Sequence, residues 1–283
     1  MISMERQESL DISSMPATTE IVPASITDQL SLAAPSWRPI LLQGLEAVAR
    51  AAPAYLRALA GDDYLPTEGR LFAAFAQPID AVRYVLIGEG PYPRPESATG
   101  VCFMDGAVHS LWSENGFSKP VNRATSLRNF MKMLLVADGQ LQRGQTSGAA
   151  VAGVAVMVRQ NDAIYIQTRE ELQANLMAHG FLLLNASLVF RPHVPPLKDA
   201  KAWEPFLQTV LAALVAHADQ QRGTQPTLVL WGKVAGLLSE LPSNALFPKA
   251  ISEHPYNLSF INSAIMQALF SPLQLLKKPG PNT

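Results

Sequence analysis

The chain has 283 residues, 48% of them apolar and 16% charged, with a formal net charge of −1 and a single cysteine, Cys102. That length suits one large α/β domain with a tail or two small domains, and the apolar share is ample for a sizeable core. One cysteine excludes an intramolecular disulfide framework and a multi-cysteine zinc site, fitting a reducing cytoplasm, while near-zero charge argues against gripping long duplex by charge alone.

Residues 1–35 mix Ser, Thr, Pro and Ala without sustained periodicity and are expected to form a flexible or loosely packed leader. The start lacks a basic region followed by an apolar stretch, and no apolar run reaches about 18 residues, so neither a secretory signal nor a membrane span is expected. Residues 36–275 are expected to form the domain and residues 276–283 a short tail. After Arg38 the run LLQGLEAVARAAPAYLRALA reads as helix, interrupted at Pro53. Tyr84-Val85-Leu86-Ile87 reads as a strand, and Ser126–Ala137 and Glu170–His179 as helices. Phe181–Leu184 is a second strand, followed by a helix over Ala202–His217. Leu228–Trp231 is a third strand, Val234–Leu238 a helix, and Ala250–Ser252 a weaker fourth strand.

The first three strands are short, continuous apolar runs, the pattern of strands buried on both faces of a parallel sheet. Strands alternating with helices imply a mainly parallel four-stranded sheet flanked by helices in a single α/β domain. Ligands of such sheets lie beyond the carboxyl ends of the strands. There the chain carries Gly88-Glu89-Gly90-Pro91-Tyr92-Pro93, then Asn185-Ala186-Ser187, then Trp231-Gly232-Lys233, and last Glu253-His254-Pro255-Tyr256-Asn257-Leu258-Ser259. Singly these are ordinary turns. An Asn after a strand commonly caps a turn, and Gly-x-Gly-Pro lacks the spacing of a phosphate-binding loop.

Taken in order, they resemble the uracil-DNA glycosylase superfamily, in the type shared by bacteria and animals. Gly88–Pro93 is similar to that family's Gly-Gln-Asp-Pro-Tyr-His. Thr99-Gly100-Val101-Cys102-Phe103 resembles its Gly-Leu-Cys-Phe segment, and Ser126-Leu127-Arg128-Asn129-Phe130-Met131-Lys132 its Ser-Leu-x-Asn-Ile-Tyr-Lys helix start. Gly180–Ala186 matches Gly-Val-Leu-Leu-Leu-Asn-Ala with one change. Trp203-Glu204-Pro205-Phe206 resembles Gly-Trp-Glu-x-Phe without its glycine, and Leu230-Trp231-Gly232 matches Leu-Trp-Gly. His254–Ser259 is similar to His-Pro-Ser-Pro-Leu-Ser with two substitutions. The resemblance spans roughly residues 80 to 272.

It implies a DNA repair enzyme that flips a base out of the stack and hydrolyses its glycosidic bond, with no cofactor and no metal. Phe103 would stack on the base, and the Asn185 amide would read the O4/N3 edge of uracil. Tyr92 would stand where the methyl of thymine goes, and Leu258 would fill the gap left in the helix. His254 would donate to uracil O2 as the anion departs. Gly88 and Gly90 shape the first turn. Ser126 at a helix start would hold a phosphate, a role compatible with a plain N-cap, and Lys233 and Ser259 would reach the DNA backbone. DNA containing uracil, single- or double-stranded, is the expected partner; a monomer in the cytoplasm is the expected state.

One departure matters most. The family's first motif carries an Asp that positions water; here that place is Gly90, and the motif's final His is Pro93. Three readings stay open. Glu89 takes over the task, as in the Gly-Glu-Ala-Pro-Gly turn of related thermophile-type enzymes. Or leaving-group stabilisation alone drives a slower reaction. Or the chain is a catalytically impaired module that binds DNA or another partner. The segment Asp105–Val121 is longer and more irregular than the family's link and reads as a lid or contact loop. An unrelated α/β hydrolase or nucleotide-binding enzyme is disfavoured, since Gly-x-Ser-x-Gly, a P-loop and a Rossmann fingerprint are all missing.

Overall fold

The computed structural model describes residues 22–239 and 242–279. In chain order it has α1 (Ala24–Thr27), α2 (Arg38–Ala51), α3 (Tyr55–Ala60), β1 (Tyr84–Gly88), β2 (Trp112–Ser113), β3 (Gly116–Phe117), α4 (Lys119–Arg123) and α5 (Thr125–Ala137). There follow α6 (Gly148–Gln160), α7 (Arg169–Ala178), β4 (Phe181–Asn185), α8 (Pro196–Gln220), β5 (Thr227–Trp231), α9 (Val234–Ser239), β6 (Lys249–Ser252) and α10 (Ala264–Phe270). Pro53 separates α2 from α3, as its missing N–H dictates. Proline plays the opposite part in α8, where Pro196 sits in the first turn and costs no hydrogen bond.

The four long strands form one sheet in the order β4-β1-β5-β6, every pairing parallel. This is the α/β architecture with a parallel four-stranded sheet between helices that the apolar runs imply. Successive residues point to opposite faces. Val85, Ile87, Leu182, Leu184, Leu228 and Leu230 join one core, with Leu41, Leu45, Trp203 and Phe206 of α2 and α8. Leu86, Phe181, Leu183, Val229 and Trp231 join a second core, with Phe130 of α5 and Phe270 of α10. Phe181 is fully buried there, stacked on Tyr84 at 4.5 Å and on Phe270 at 5.6 Å between ring centroids. Truncating such a ring to Ala costs ~3–5 kcal/mol.

Because all four strands run the same way, Gly88, Asn185, Trp231 and Ser252 end at one edge of the sheet. Gly88 is in register with Asn185, and Trp231 with Ser252. The ladder continues one step past the first pair: Ala186 N–H donates to the Gly88 carbonyl at 2.8 Å and Ser187 N–H to the Glu89 carbonyl at 3.1 Å. Those two bonds fix the turn that follows β1.

Three segments outside the main elements pack on the domain where the structure describes them. Of the leader, residues 1–21 lie outside the described residues, whereas residues 22–35 pack on the domain. Val22 and Ile26 are buried, and Ala34 N–H donates to the Phe75 carbonyl at 2.9 Å. Of the tail, Leu276 is buried, and its carbonyl accepts from Ile166 N–H at 3.0 Å. Residues 280–283 lie outside the described residues. The segment Asp105–Val121 is no free lid: β2 and β3 form a hairpin whose Trp112 and Phe117 are buried. The Trp112 indole N–H donates to the Ile166 carbonyl at 2.9 Å. Its apolar residues at 108, 111, 112 and 117 belong to the second core, which is why it packs.

Candidate active site

A cavity of about 590 Å³ opens at the carboxyl edge of the sheet. Of the eleven residues singled out from sequence, nine line it: Gly88, Glu89, Gly90, Tyr92, Phe103, Ser126, Asn185, Lys233 and His254. Leu258 and Ser259 do not. They are exposed at the start of a short 3-10 turn over Leu258–Asn262, just beyond the cavity rim, with Leu258 68% exposed.

The floor is apolar and crowded. Cys102 is buried, and its backbone N–H donates to the Leu183 carbonyl at 3.0 Å, which lays residues 100–103 beside β4. Burial pushes its thiol up to about 12, so it stays protonated and unreactive. A Cβ on Gly88 would lie 2.5 Å from the Cys102 sulfur and 3.2 Å from Asn185 Oδ1, so glycine is needed at the end of β1. Phe103 takes a left-handed backbone, φ 67°. Its ring meets Phe130 and Trp231 edge-on, at 5.3 and 5.1 Å between centroids. Edge contacts on two sides leave a ring held but not covered, the arrangement a stacking surface needs.

Asn185 is only 5% exposed, and among the described residues its side-chain amide has no protein hydrogen-bond partner. A buried amide without partners costs stability unless something from outside completes it. Here the amide lines the cavity, so a molecule in the cavity can complete it. Tyr92 packs alongside; its hydroxyl donates to the Phe103 carbonyl at 3.4 Å, and burial raises its phenol well above the ordinary range.

His254 lines the cavity from the loop after β6 and is exposed. Tyr256 N–H donates to its Nδ1 at 3.1 Å. In the neutral ring this leaves the proton on Nε2. Desolvation pulls the imidazole below its usual value, opposed by the negative charge of Glu89. Gly232, with φ +60°, lets β5 pass close behind: a Cβ there would come within 2.9 Å of His254 Cβ.

Gly90 is exposed in the turn, and a Cβ there would meet only ordinary contacts, 3.7 Å to Ser187. Nothing steric demands glycine at that position. Ser126 is not the N-cap of its helix. The helix starts one residue earlier, with Ala124 as N-cap and no side-chain cap, so Ser126 is in the first turn among N–H groups that no side chain covers. Lys233 is exposed on the turn after β5.

Residues not singled out from sequence also contribute. Asn129, fully buried on α5, donates from Nδ2 to the carbonyls of Pro255 at 2.7 Å and Tyr256 at 3.3 Å, pinning the loop that carries His254. A polar residue on the apolar side of an amphipathic helix was the available signal. Glu253, Tyr256 and Asn257 line the cavity as well. Among the described residues no group of three or more His, Cys, Asp or Glu side chains could hold a metal ion, and no helix is long and apolar enough to cross a membrane.

No family model matches the chain. It is 30% identical over 209 residues to a uracil-DNA glycosylase of Mycobacterium sp. strain KMS, covering 72% of this chain and 73% of that one. It is 30% identical over 239 residues to a uracil-DNA glycosylase of Nocardioides sp. strain JS614, covering 83% and 84%. The crystal structure of wild-type UNG from Nitratifractor salsuginis superposes with a TM-score of 0.80 at 38% identity, covering 90% of this chain and 97% of that one.

Proposed function

This chain belongs to the uracil-DNA glycosylase family, and on that premise we propose that it excises uracil from DNA by flipping the base into the cavity at the sheet edge. The observation that carries the reading is Asn185. A buried amide with no protein partner lines the same cavity as the Phe103 ring and His254, and an extruded pyrimidine supplies what the amide lacks.

The extruded uracil stacks on Phe103. Asn185 offers a donor to O4 and an acceptor to N3–H. Tyr92 fills the space a 5-methyl group would need, which rejects thymine by clash. As the bond between C1′ and N1 breaks, its electron pair leaves with uracil and the sugar becomes cationic. Nε2–H of His254 donates to O2 of the departing anion. Such a preorganised donor contributes ~10²–10³ in rate. Water adds to C1′, and the products are free uracil and an abasic site. Ser126, Lys233 and Ser259 hold backbone phosphates, and Leu258 enters the gap in the duplex.

The chain is read as the bacterial and animal type with a variant first motif, Gly88-Glu89-Gly90-Pro91-Tyr92-Pro93. Glu89 takes the water-ordering task left vacant at Gly90. Glu89 lines the same cavity as His254 and Asn185, which supports this reading. A second reading, an impaired glycosylase that only binds DNA or another partner, is favoured by one observation: the turn holds no carboxylate at position 90. Incubation of the full chain with a uracil-containing oligonucleotide, followed by alkali, separates the two. Strand scission at uracil supports the enzyme; binding without scission at stoichiometric protein supports the module.

A further inference from the structure

The loop after β6 carries an aromatic ring that the excision chemistry does not use. Tyr256 lines the cavity mouth and is 67% exposed. Among the described residues its side chain makes neither a ring contact nor a hydrogen bond. A single exposed tyrosine is unremarkable by itself. This one is held from both sides through its backbone. Its N–H is committed to His254 Nδ1 at 3.1 Å, and its carbonyl accepts from buried Asn129 at 3.3 Å. The ring is thus presented to solvent from a fixed backbone, two residues before Leu258, which is equally exposed. Fixing the backbone that carries the ring before a ligand arrives removes part of the entropy cost of binding.

The chemistry of that rim narrows the ligand. A flat, π-faced surface beside the cavity read above as the seat of an extruded base fits the face of a neighbouring base. Stacking is indifferent to sequence and does not need a paired strand. Resting on the glycosylase reading above, we propose that the Tyr256 ring is a stacking platform for the nucleobase adjacent to the extruded uracil, giving the site a grip on single-stranded DNA.

The test uses the full chain and single-stranded oligonucleotides carrying one 2′-fluoro-2′-deoxyuridine, which resists excision, with 2-aminopurine on its 5′ or its 3′ side. Stacking on a phenol ring quenches 2-aminopurine. Wild-type protein is expected to quench one of the two oligonucleotides, and Tyr256→Phe to keep that quench and the affinity. Tyr256→Ala is expected to lose the quench and bind about 5- to 150-fold more weakly, the range for one lost base–aromatic stack. Its thermal melt should match wild type, because the ring is 67% exposed and makes no ring contact or side-chain hydrogen bond among the described residues. Unchanged affinity and quench in Tyr256→Ala overturns the proposal. So does a Tyr256→Phe variant as weak as Tyr256→Ala, which would assign the effect to the hydroxyl. Wild-type excision of ordinary uracil with an indifferent Tyr256→Ala removes this inference alone. Wild-type protein that neither binds nor excises removes the glycosylase reading, and this one with it.

Discussion

Tyr256 N–H and His254 Nδ1 are joined by a hydrogen bond of 3.1 Å, formed within the loop that closes the cavity. The bond requires Nδ1 to be an acceptor, so the ring is neutral and its proton sits on Nε2. The same contact explains why protonation would hurt. An imidazolium carries N–H at both positions, and Nδ1–H would then face the Tyr256 N–H.

The pH dependence follows. Desolvation lowers His254 from the ordinary 6.5, so the neutral form persists through neutral pH and is lost only as pH falls through a value below 6.5. The acid limb of kcat/KM against pH is expected below the ordinary imidazole range, with a flat region above it. His254→Ala should lower kcat ~10²–10³-fold and abolish that limb. A limb unchanged in His254→Ala would assign it to another group.

Asn129 acts one step further back. Asn129→Leu deprives the Pro255 and Tyr256 carbonyls of their donor, at a cost of ~1–3 kcal/mol for buried groups left unpaired. Its own Oδ1 is buried without a protein partner, which places the loss at the lower end. Urea unfolding measures the stability change. The kinetic expectation is a fall in kcat larger than any rise in KM, because what moves is the loop aiming His254. A variant with native kcat would remove Asn129 from the positioning of the site.

Gly90 is expected to accept a carboxylate. A Cβ there meets Ser187 only at 3.7 Å, and the glycine does not occupy the left-handed region. Gly90→Asp should fold, with a melting temperature close to wild type, and should raise the single-turnover rate. It should also rescue Glu89→Gln. No rescue would mean that a carboxylate at this turn cannot reach the water.

Asp138, at the end of α5, offers a prediction away from the cavity. It caps the helix at the negative end of the dipole, with Oδ2 buried and unpartnered among the described residues, while Gln274 donates to Oδ1 at 3.2 Å. Burial pushes the carboxyl up to about 6 from 3.8. The folded state therefore holds a proton that the unfolded state releases near 3.8, so stability falls as pH rises from about 4 to 6 and is level above. Asp138→Asn should remove the loss. Allowing for partial exposure, the gain at pH 7.5 is ~1 kcal/mol, or about 2–4 °C in Tm, with none at pH 3.5. Equal gains at both pH values would point to packing instead of charge.

Most of the fold was legible because a buried parallel sheet leaves an unmistakable trace. Val85–Ile87, Leu182–Leu184 and Leu228–Leu230 are continuous apolar runs, and each is a buried strand of the parallel sheet, β1 and β5 in its middle and β4 at its edge. The cavity was legible for the same reason, since whatever follows a parallel strand lies at one edge. What escaped was contact between distant segments. Trp112 bonds to the carbonyl of Ile166, and no local pattern in 105–121 announces that hairpin as core. Asn129 and the Pro255 carbonyl are 126 positions apart, and only the folded chain shows the pair. The helix over Gly148–Gln160 was missed because its Ala, Val and Gly give a weak apolar stripe.

The proposed function gives Glu89 the place of the missing aspartate in this pocket. Single-turnover excision of uracil from a single-stranded oligonucleotide by Glu89→Gln, against wild type, tests it most directly. A positioned carboxylate contributes ~10²–10⁴ in rate, so a fall of that size is expected, with substrate affinity unchanged. Glu89→Gln at the full wild-type rate would contradict it.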